Sequence, residues 1–418
     1  MKRPKPIRVG FFGLSHLGLV TMVAFANKDV QTYGYDPDVN HVNNINLGNL
    51  PVDEPNLLAT FHNKRTNITL SSDCRILNTC NIIYFSNDIE TNSFGSSNLT
   101  KAKHQLKQLS RQITSNQTLI ILSQVPPGFT RDIAKLHPNT YYQVETLVFG
   151  DALSRAETPE RIIVGTKHGK GISKSYTNLL SQFHCPILVM NYESAEFTKI
   201  TINMYLVNDI VLTNALSQIV RKHHGSWSDI RPALALDKRI GPSAYLTPGL
   251  GISGGNLERD IRTWNTMCKP GDQAYSLMKV FTSNSRKQKQ WFVSEIDRVL
   301  RKHNYKVSIL GLTYKENTNS IKNAVSKAIY KKFKKHIVSV YDPIIKNFPG
   351  VPKDIFASNI SECILNTNLL IILTRSIEFL GIEDTINNSA IQCIFDPYNV
   401  LSPSLLSAKS YISNIFVR

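Results

Sequence analysis

The sequence predicts an α/β chain: two doubly wound parallel-sheet domains, one towards each end, joined by a long central helix. Three observations carry that reading. Short apolar runs alternate with helical periodicities from residue 7 to about 165, and again from about 306. Between them, the proline-free stretch from Ser194 to Lys222 keeps Phe197, Ile200, Met204, Val207, Val211 and Leu216 at helical spacing. Finally, 418 residues is long for one core, so two or three domains are expected. The pattern places them at 1–193, 194–300 and 301–418.

The first forty residues are the most informative. Ile7 to Phe12 reads as a buried strand, Gly13-Leu14-Ser15-His16-Leu17-Gly18 as a turn, and the apolar run to Ala26 as a helix. A second strand, Gln31 to Tyr35, ends at Asp36, 23 residues after Gly13. Strand, glycine turn, helix, strand and acid together make a dinucleotide-binding unit, which neither glycine would make alone. Gly13 permits the tight turn and Gly18 lets helix approach strand. Phosphate would sit on the helix N-terminus, where free N–H groups and the dipole favour an anion. Asp36 would accept from a ribose diol and repel a 2′-phosphate, which favours NAD over NADP. The middle glycine of the usual pattern is replaced by Ser15, small enough to be tolerated.

The alternation continues with strands at Asn81 to Ser86 and Thr118 to Ser123, a helix between them from Leu99 to Ile113, and a last strand at Ile162 to Gly165 closing the region. Ser123-Gln124-Val125-Pro126-Pro127-Gly128 would lie beyond a strand's carboxyl end, where parallel sheets bind ligands. The central helix, at nearly thirty residues, would span about 40 Å, and suits equally a linker that also packs against a second subunit and a long core helix inside one domain. The far domain is read from strands at Val307 to Gly311, Val338 to Tyr341, Leu369 to Leu373 and Ile391 to Phe395, with a helix from Ala324 to Lys335.

Composition bounds the function. With 42% hydrophobic and 19% charged residues, the chain is globular. No apolar run reaches the roughly 18 residues of a membrane helix, so no membrane role is expected. Six cysteines without ligand spacing imply neither a metal site nor a disulfide framework, and fit a reducing, cytoplasmic setting. The net charge of +17 invites an anionic partner. The basic run Lys331-Lys332-Phe333-Lys334-Lys335 has no stacking aromatics and no nucleic-acid motif beside it, which argues against nucleic acid.

Two further groups could carry chemistry. Lys199 and Asn203, four apart on the central helix, share a face and could stabilise an oxyanion, although such a pair taken alone is more often a solvated face. The segment Asp237 to Pro242 and Pro248 to Asp260 holds five glycines, too many for a helix or strand interior, and reads either as a ligand-wrapping loop ending in Arg259 and Asp260 or as a surface loop of turn residues.

Taken in order, these motifs resemble the UDP-glucose/GDP-mannose dehydrogenase family over nearly the full length. Gly13 to Gly18 with Asp36 is similar to its NAD fingerprint, and Glu54-Pro55-Asn56-Leu57 to a Glu-Pro-Gly-Leu signature. Ser123 to Gly128 is similar to Ser-Thr-Val-Pro-Pro-Gly, and Glu145, Leu147 and Gly150 to Pro-Glu-Phe-Leu-Arg-Glu-Gly. Ser194-Ala195-Glu196 through Asn203, Arg239-Ile240-Gly241, Gly249 to Asp260, Gly311-Leu312-Thr313-Tyr314-Lys315 and Tyr341-Asp342-Pro343 complete the register. The resemblance implies oxidation of the C6 alcohol of a nucleotide sugar, a UDP-sugar above all, with NAD as cofactor and a homodimer built on the central helix. It implies that Lys199 and Asn203 stabilise the oxyanion, that Asp260 helps activate a water, and that Glu145 lines the same site. Arg239, the latter across a subunit interface, and Lys315 would hold sugar or phosphate, with Leu147, Gly249 and Gly251 beside the substrate. Gln124, Arg259 and Lys322 would lie near NAD, with Gly13, Ser15, Leu17, Gly18 and Asp36.

The chain departs from the family pattern where it matters most. Aligned without gaps, the family's Gly-Phe-Gly-Gly-Ser-Cys-Phe-Pro-Lys-Asp falls on Gly251 to Asp260, and its catalytic cysteine on Asn256. An amide is no nucleophile towards an aldehyde. Gln124 replaces a threonine, Phe149 a glutamate and Tyr398 an arginine, and Ser86 to Ile89 lacks a Val-Pro-Thr-Pro turn. Three readings follow: an NAD-dependent oxidoreductase with altered chemistry, which either stops at the aldehyde after one hydride or oxidises a hydrated aldehyde through water activated by Asp260; a non-catalytic relative that binds nucleotide sugar or NAD as a regulator or scaffold; and a four-electron dehydrogenase using Cys268 or another thiol.

Overall fold

The structure is a computed structural model that describes residues 7–89, 97–407 and 410–412. The chain divides into two compact units, Met1–Ile202 and Asn203–Arg418.

The first unit is built on an eight-stranded sheet in the order β3-β2-β1-β4-β5-β6-β7-β8. Its strands are β1 Arg8–Phe12, β2 Gln31–Tyr35, β3 Ile68–Ser71, β4 Ile82–Phe85, β5 Thr118–Ile121, β6 Thr140–Gln143, β7 Ile162–Thr166 and β8 Ile187–Asn191. The order reverses at β1, between β2 and β4, as in a doubly wound sheet. The expected parallel sheet is found with one exception: β6 and β7 pair antiparallel. Nor does Ile162 close the sheet, because β8 pairs parallel beyond β7. β4 and β5 are buried on both faces, which is why they read as unbroken apolar runs. The helix His16–Asn27 is likewise buried nearly all round, from Leu17 to Ala26. Phe11 stacks on Tyr84 with centroids 5.3 Å apart, and Phe25 packs against both rings. Full burial of each such ring is worth about 1.5–3 kcal/mol over exposure.

The second unit holds a five-stranded parallel sheet, order β10-β9-β11-β12-β13, with β9 Val307–Leu310, β10 Ile337–Tyr341, β11 Leu369–Ile372, β12 Cys393–Phe395 and β13 Ser410–Ile412. The helix Tyr192–Lys222 joins the two halves of the chain. Two features of the second unit lay outside the expectation. Gln273–Lys302 is a second helix of 30 residues, whose buried face carries Met278, Phe281, Phe292, Ile296 and Leu300. The presumed loop up to Asp260 gives way to helix at Asn256, so Asn256, Arg259 and Asp260 lie in the opening turns of the helix Asn256–Met267.

Candidate active site

The glycine turn is sterically committed. Gly13 sits at φ +101°, and a Cβ there would lie 1.9 Å from the Asn87 side-chain oxygen. A Cβ on Gly18 would lie 1.9 Å from the Gly13 carbonyl oxygen. No other residue fits either position without moving backbone. Gly13 donates its N–H to Tyr35 O at 2.8 Å, and Leu14 donates to Asp36 Oδ2 at 3.2 Å, so the end of β2 is tied to the turn after β1. Asp36 remains half-buried at the sheet's carboxyl edge. Ser15 turns its hydroxyl to the Asp88 N–H, at 3.3 Å, and so occupies the missing glycine's place with its side chain bonded. Leu17 is buried against the core.

Glu54 reaches the turn from the loop before the helix Leu57–Asn63. It accepts from His16 Nε2 at 2.9 Å and from the Gly150 and Ala152 N–H groups at 2.9 and 3.1 Å. Burial pushes its carboxyl up, but these partners outweigh burial and hold it below the usual range. Phe149 stacks on the His16 ring with centroids 4.2 Å apart. The glutamate missing at 149 is thus answered by an aromatic pair. Asn56 stands in the left-handed region at φ +63°, which asparagine tolerates where the family signature has glycine.

Glu145 and Leu147 follow β6. Glu145 accepts from the Leu147 N–H and holds Lys199 Nζ at 3.3 Å, with both side chains nearly buried. Leu147 borders a shallow cleft lined by Phe25, Leu122 and Phe183. Gln124 lies between β5 and the Pro126-Pro127-Gly128 turn. That turn is anchored by a residue to which the sequence reading gave no role. Glu196 is fully buried and accepts from Gly128 and Thr130 N–H at 2.6 and 2.8 Å. Its burial raises the carboxyl to about 7. The available signal was a carboxylate three residues before Lys199 on an otherwise apolar helix face.

In the second unit, Asp260 is buried and accepts from Asn203 Nδ2 at 2.5 Å and from Arg259 Nε at 3.2 Å. Gly249 donates to Asn214 Oδ1 at 2.8 Å, and a Cβ on it would meet the Tyr398 ring at 2.8 Å. Gly251, at φ +86°, packs against Ser285, whose hydroxyl accepts from the Ile252 N–H at 2.8 Å. Lys322 lies against Gly255, where an added Cβ would stand 3.2 Å from its Nζ. Lys315 follows the β9 turn, and Thr313 Oγ1 donates to its carbonyl at 2.7 Å. Arg239 is not drawn into this cluster: its side chain is 88% exposed and pairs with Asp237 at 2.7 Å. Asn256, the first residue of its helix, is exposed. Cys268 caps the opposite end of that helix, twelve residues and about 18 Å away.

The β9 turn repeats the geometry of the β1 turn. Gly311, at φ +86°, donates to Tyr341 O at 2.8 Å, and Leu312 donates to Asp342 Oδ2 at 2.7 Å. The chain is therefore a dinucleotide-binding α/β protein with a second sheet of Rossmann-like design. Comparison with known proteins narrows this class. The family models of the UDP-glucose/GDP-mannose dehydrogenases match in order: the NAD binding domain at 7–184, the central domain at 193–286 and the UDP binding domain at 308–403. The chain belongs to the UDP-glucose/GDP-mannose dehydrogenase family. It is 25% identical over 429 residues to a UDP-glucose 6-dehydrogenase of Rickettsia prowazekii, covering 96% of this chain and 97% of that protein. It is 24% identical over 353 residues to UDP-glucose 6-dehydrogenase TuaD of Bacillus subtilis, covering 81% and 76%. Its fold matches a UDP-D-ManNAc dehydrogenase from Pyrococcus horikoshii with a TM-score of 0.82 at 18% identity, over 98% of this chain and 99% of that one. A UDP-glucose dehydrogenase from Pyrobaculum islandicum matches with 0.80 at 18%, over 100% and 96%.

The residues present fit the family's cofactor. The Gly13–Gly18 turn, held tight by packing that leaves no room for a Cβ on either glycine, leads into a helix with no acidic residue in its first turn. Among the described residues no cluster of metal-ligating side chains occurs, and no helix is long and apolar enough to cross a membrane.

Proposed function

We propose that this chain is an NAD-dependent oxidoreductase that acts on the C6 alcohol of a nucleotide sugar, a UDP-sugar by preference, and that it stops at the aldehyde. The substrate class rests on the family's NAD- and UDP-binding domains and on the UDP-glucose 6-dehydrogenases among its relatives. The two-electron outcome rests on the ungapped resemblance that sets Asn256 in the place of the family's cysteine, and it is supported by the position of Cys268 at the far end of the same helix.

Bound NAD supplies the acceptor for a hydride from C6. The alcohol loses that hydride and its hydroxyl proton, and an aldehyde remains. Lys199 and Asn203, one turn apart on the central helix, hold the oxygen on which negative charge develops. Glu145 fixes the lysine and Asp260 fixes the amide. Donors placed this way are worth about 10²–10³ in rate. A second oxidation needs the aldehyde captured by a nucleophile: the carboxamide of Asn256 supplies none, and Asp260, the group that would activate a water, is committed to Asn203 and Arg259.

A homodimer through the central helix accounts for its exposed apolar stripe. Tyr205, Leu212, Leu216 and Ile219 are 72, 49, 41 and 55% exposed, and a stripe of that kind calls for a cover. Arg239, outside its own chain's cluster, would then serve the partner's substrate. The functional division follows 1–193 for cofactor, 194–300 for dimerisation and substrate, and 301–418 for the nucleotide.

The test is a count. Purified protein with NAD and a panel of UDP- and GDP-sugars should give one NADH per sugar consumed and an aldehyde trapped by hydroxylamine. Two NADH and a uronate would overturn the two-electron reading. Binding of both ligands without turnover would overturn catalysis and leave a binding protein.

A further inference from the structure

We propose that Arg375 is the guanidinium that grips the diphosphate of the nucleotide sugar at the carboxyl edge of the second sheet, with Tyr398 as a neutral positioning residue beside it. The assignment rests on the nucleotide-sugar reading above and names a group within that site.

All five strands of this sheet run parallel, so ligands sit beyond their carboxyl ends. Two acids at that edge, Asp342 and Asp396, are committed to the protein. Asp342 accepts from the N–H groups of Leu312, Thr313, Ile344 and Ile345. Asp396 accepts from the Tyr398 and Leu401 N–H groups and from the Tyr411 hydroxyl. Cations emerge from neighbouring loops. Lys315 follows β9, and Arg375 follows β11, which pairs with β9. These loops touch: a Cβ on Gly311 would lie 2.2 Å from Thr374 Oγ1 and 2.9 Å from its nitrogen. Arg375 is exposed and forms no ion pair among the described residues.

Tyr398, which follows β12 at the same edge, packs on Gly249 of the glycine-rich segment. Burial pushes its hydroxyl up to about 12, so it is neutral, and Glu316, the Leu250 backbone and the charge of Arg375 all act on it. Arg375 therefore places a guanidinium at the edge where the β9, β11 and β12 loops meet. A guanidinium presents paired N–H donors that match two phosphate oxygens at once. Glu316, on the turn that carries Lys315, is the opposing charge in this neighbourhood and weakens the grip.

Calorimetric titration of the full chain with UDP and with uridine separates the cases. Arg375→Gln should weaken UDP by about 10–100-fold, the usual worth of a charge-assisted hydrogen bond. Uridine and NAD affinities should hold. Glu316→Gln should act in the opposite direction and tighten UDP. Unchanged UDP affinity in Arg375→Gln would overturn the assignment, and so would equal losses for UDP and uridine. Because Arg375 is exposed, the variant should keep the parent's unfolding profile. If the unmodified chain bound neither UDP nor UDP-glucose, the nucleotide-sugar reading itself would fall, and the assignment with it.

Discussion

Replacing Glu196 with glutamine should remove a specific pH dependence from the stability of the first unit. Glu196 is fully buried, and burial raises its carboxyl from 4.5 to about 7, against the two N–H groups it accepts from. As pH rises past 4.5, the unfolded chain releases this proton while the folded chain keeps it up to about pH 7. The folded state then binds more protons than the unfolded one, so stability falls with pH across that window. The full effect is about 3 kcal/mol, at 1.36 kcal/mol for each pH unit between the two values, and it is an upper bound. Glutamine keeps the size and cannot ionise. The stability of Glu196→Gln relative to the parent should therefore rise by up to about 3 kcal/mol between pH 4.5 and 7.5, and stay level above. Urea unfolding followed by circular dichroism, with hydrogen exchange of peptides spanning 124–133, reads this directly. Trp227, Trp264 and Trp291 all lie in the second unit, so their fluorescence is an internal control that should not respond. Parallel pH curves for parent and variant would refute the reasoning.

Other substitutions probe the remaining parts. Gly18→Ala forces a methyl to within 1.9 Å of the Gly13 carbonyl oxygen, which should cost about 1–3 kcal/mol in thermal unfolding and at least about tenfold in NAD affinity. Lys199→Gln should lower kcat by about 10²–10³ while NAD affinity, measured by fluorescence titration, stays within about twofold. Asn256→Cys should raise the yield from one to two NADH per sugar, because it returns a nucleophile to the start of the helix. Cys268→Ser should leave both rate and yield unchanged, and a loss of the second NADH in that variant would reinstate Cys268 as the working thiol.

Much of the architecture was legible because its signals are local. β1, the glycine turn, the helix His16–Asn27 and β2 announce themselves through an unbroken apolar run, two glycines that sterics demand, and an acid at a fixed distance. The central helix was legible through its period, with the observed start at Tyr192 two residues before the expected one. The missed elements lacked such signals. β3 is four residues with an ITLS sequence and one face half-exposed, and β8 is largely exposed along its length. The helix Gln273–Lys302 was obscured by charge, since its buried face is interrupted by Ser285 and Gln288 among many basic residues. The antiparallel turn of β6 against β7 depends on a long-range pairing that no local pattern encodes. At the site, residue types could be read but partners could not. Glu196 looked like one more polar residue at a helix start until the structure brought the Pro126-Pro127-Gly128 turn onto it.

The saturation of Asp342 has a consequence for stoichiometry. Its carboxylate is consumed by four backbone N–H groups, whereas that of Asp36 meets, among the described residues, the N–H groups of Leu14 and Asp38 and stays half open. Of two turns with the same shape, only the first can offer oxygen lone pairs to a ribose diol. A titration with NAD should therefore reach its end point at one equivalent per chain. With a single seat, a second oxidation would require spent NADH to depart and a fresh molecule to arrive while the half-oxidised sugar waited, and without a thiol to tether it nothing covalent keeps it there.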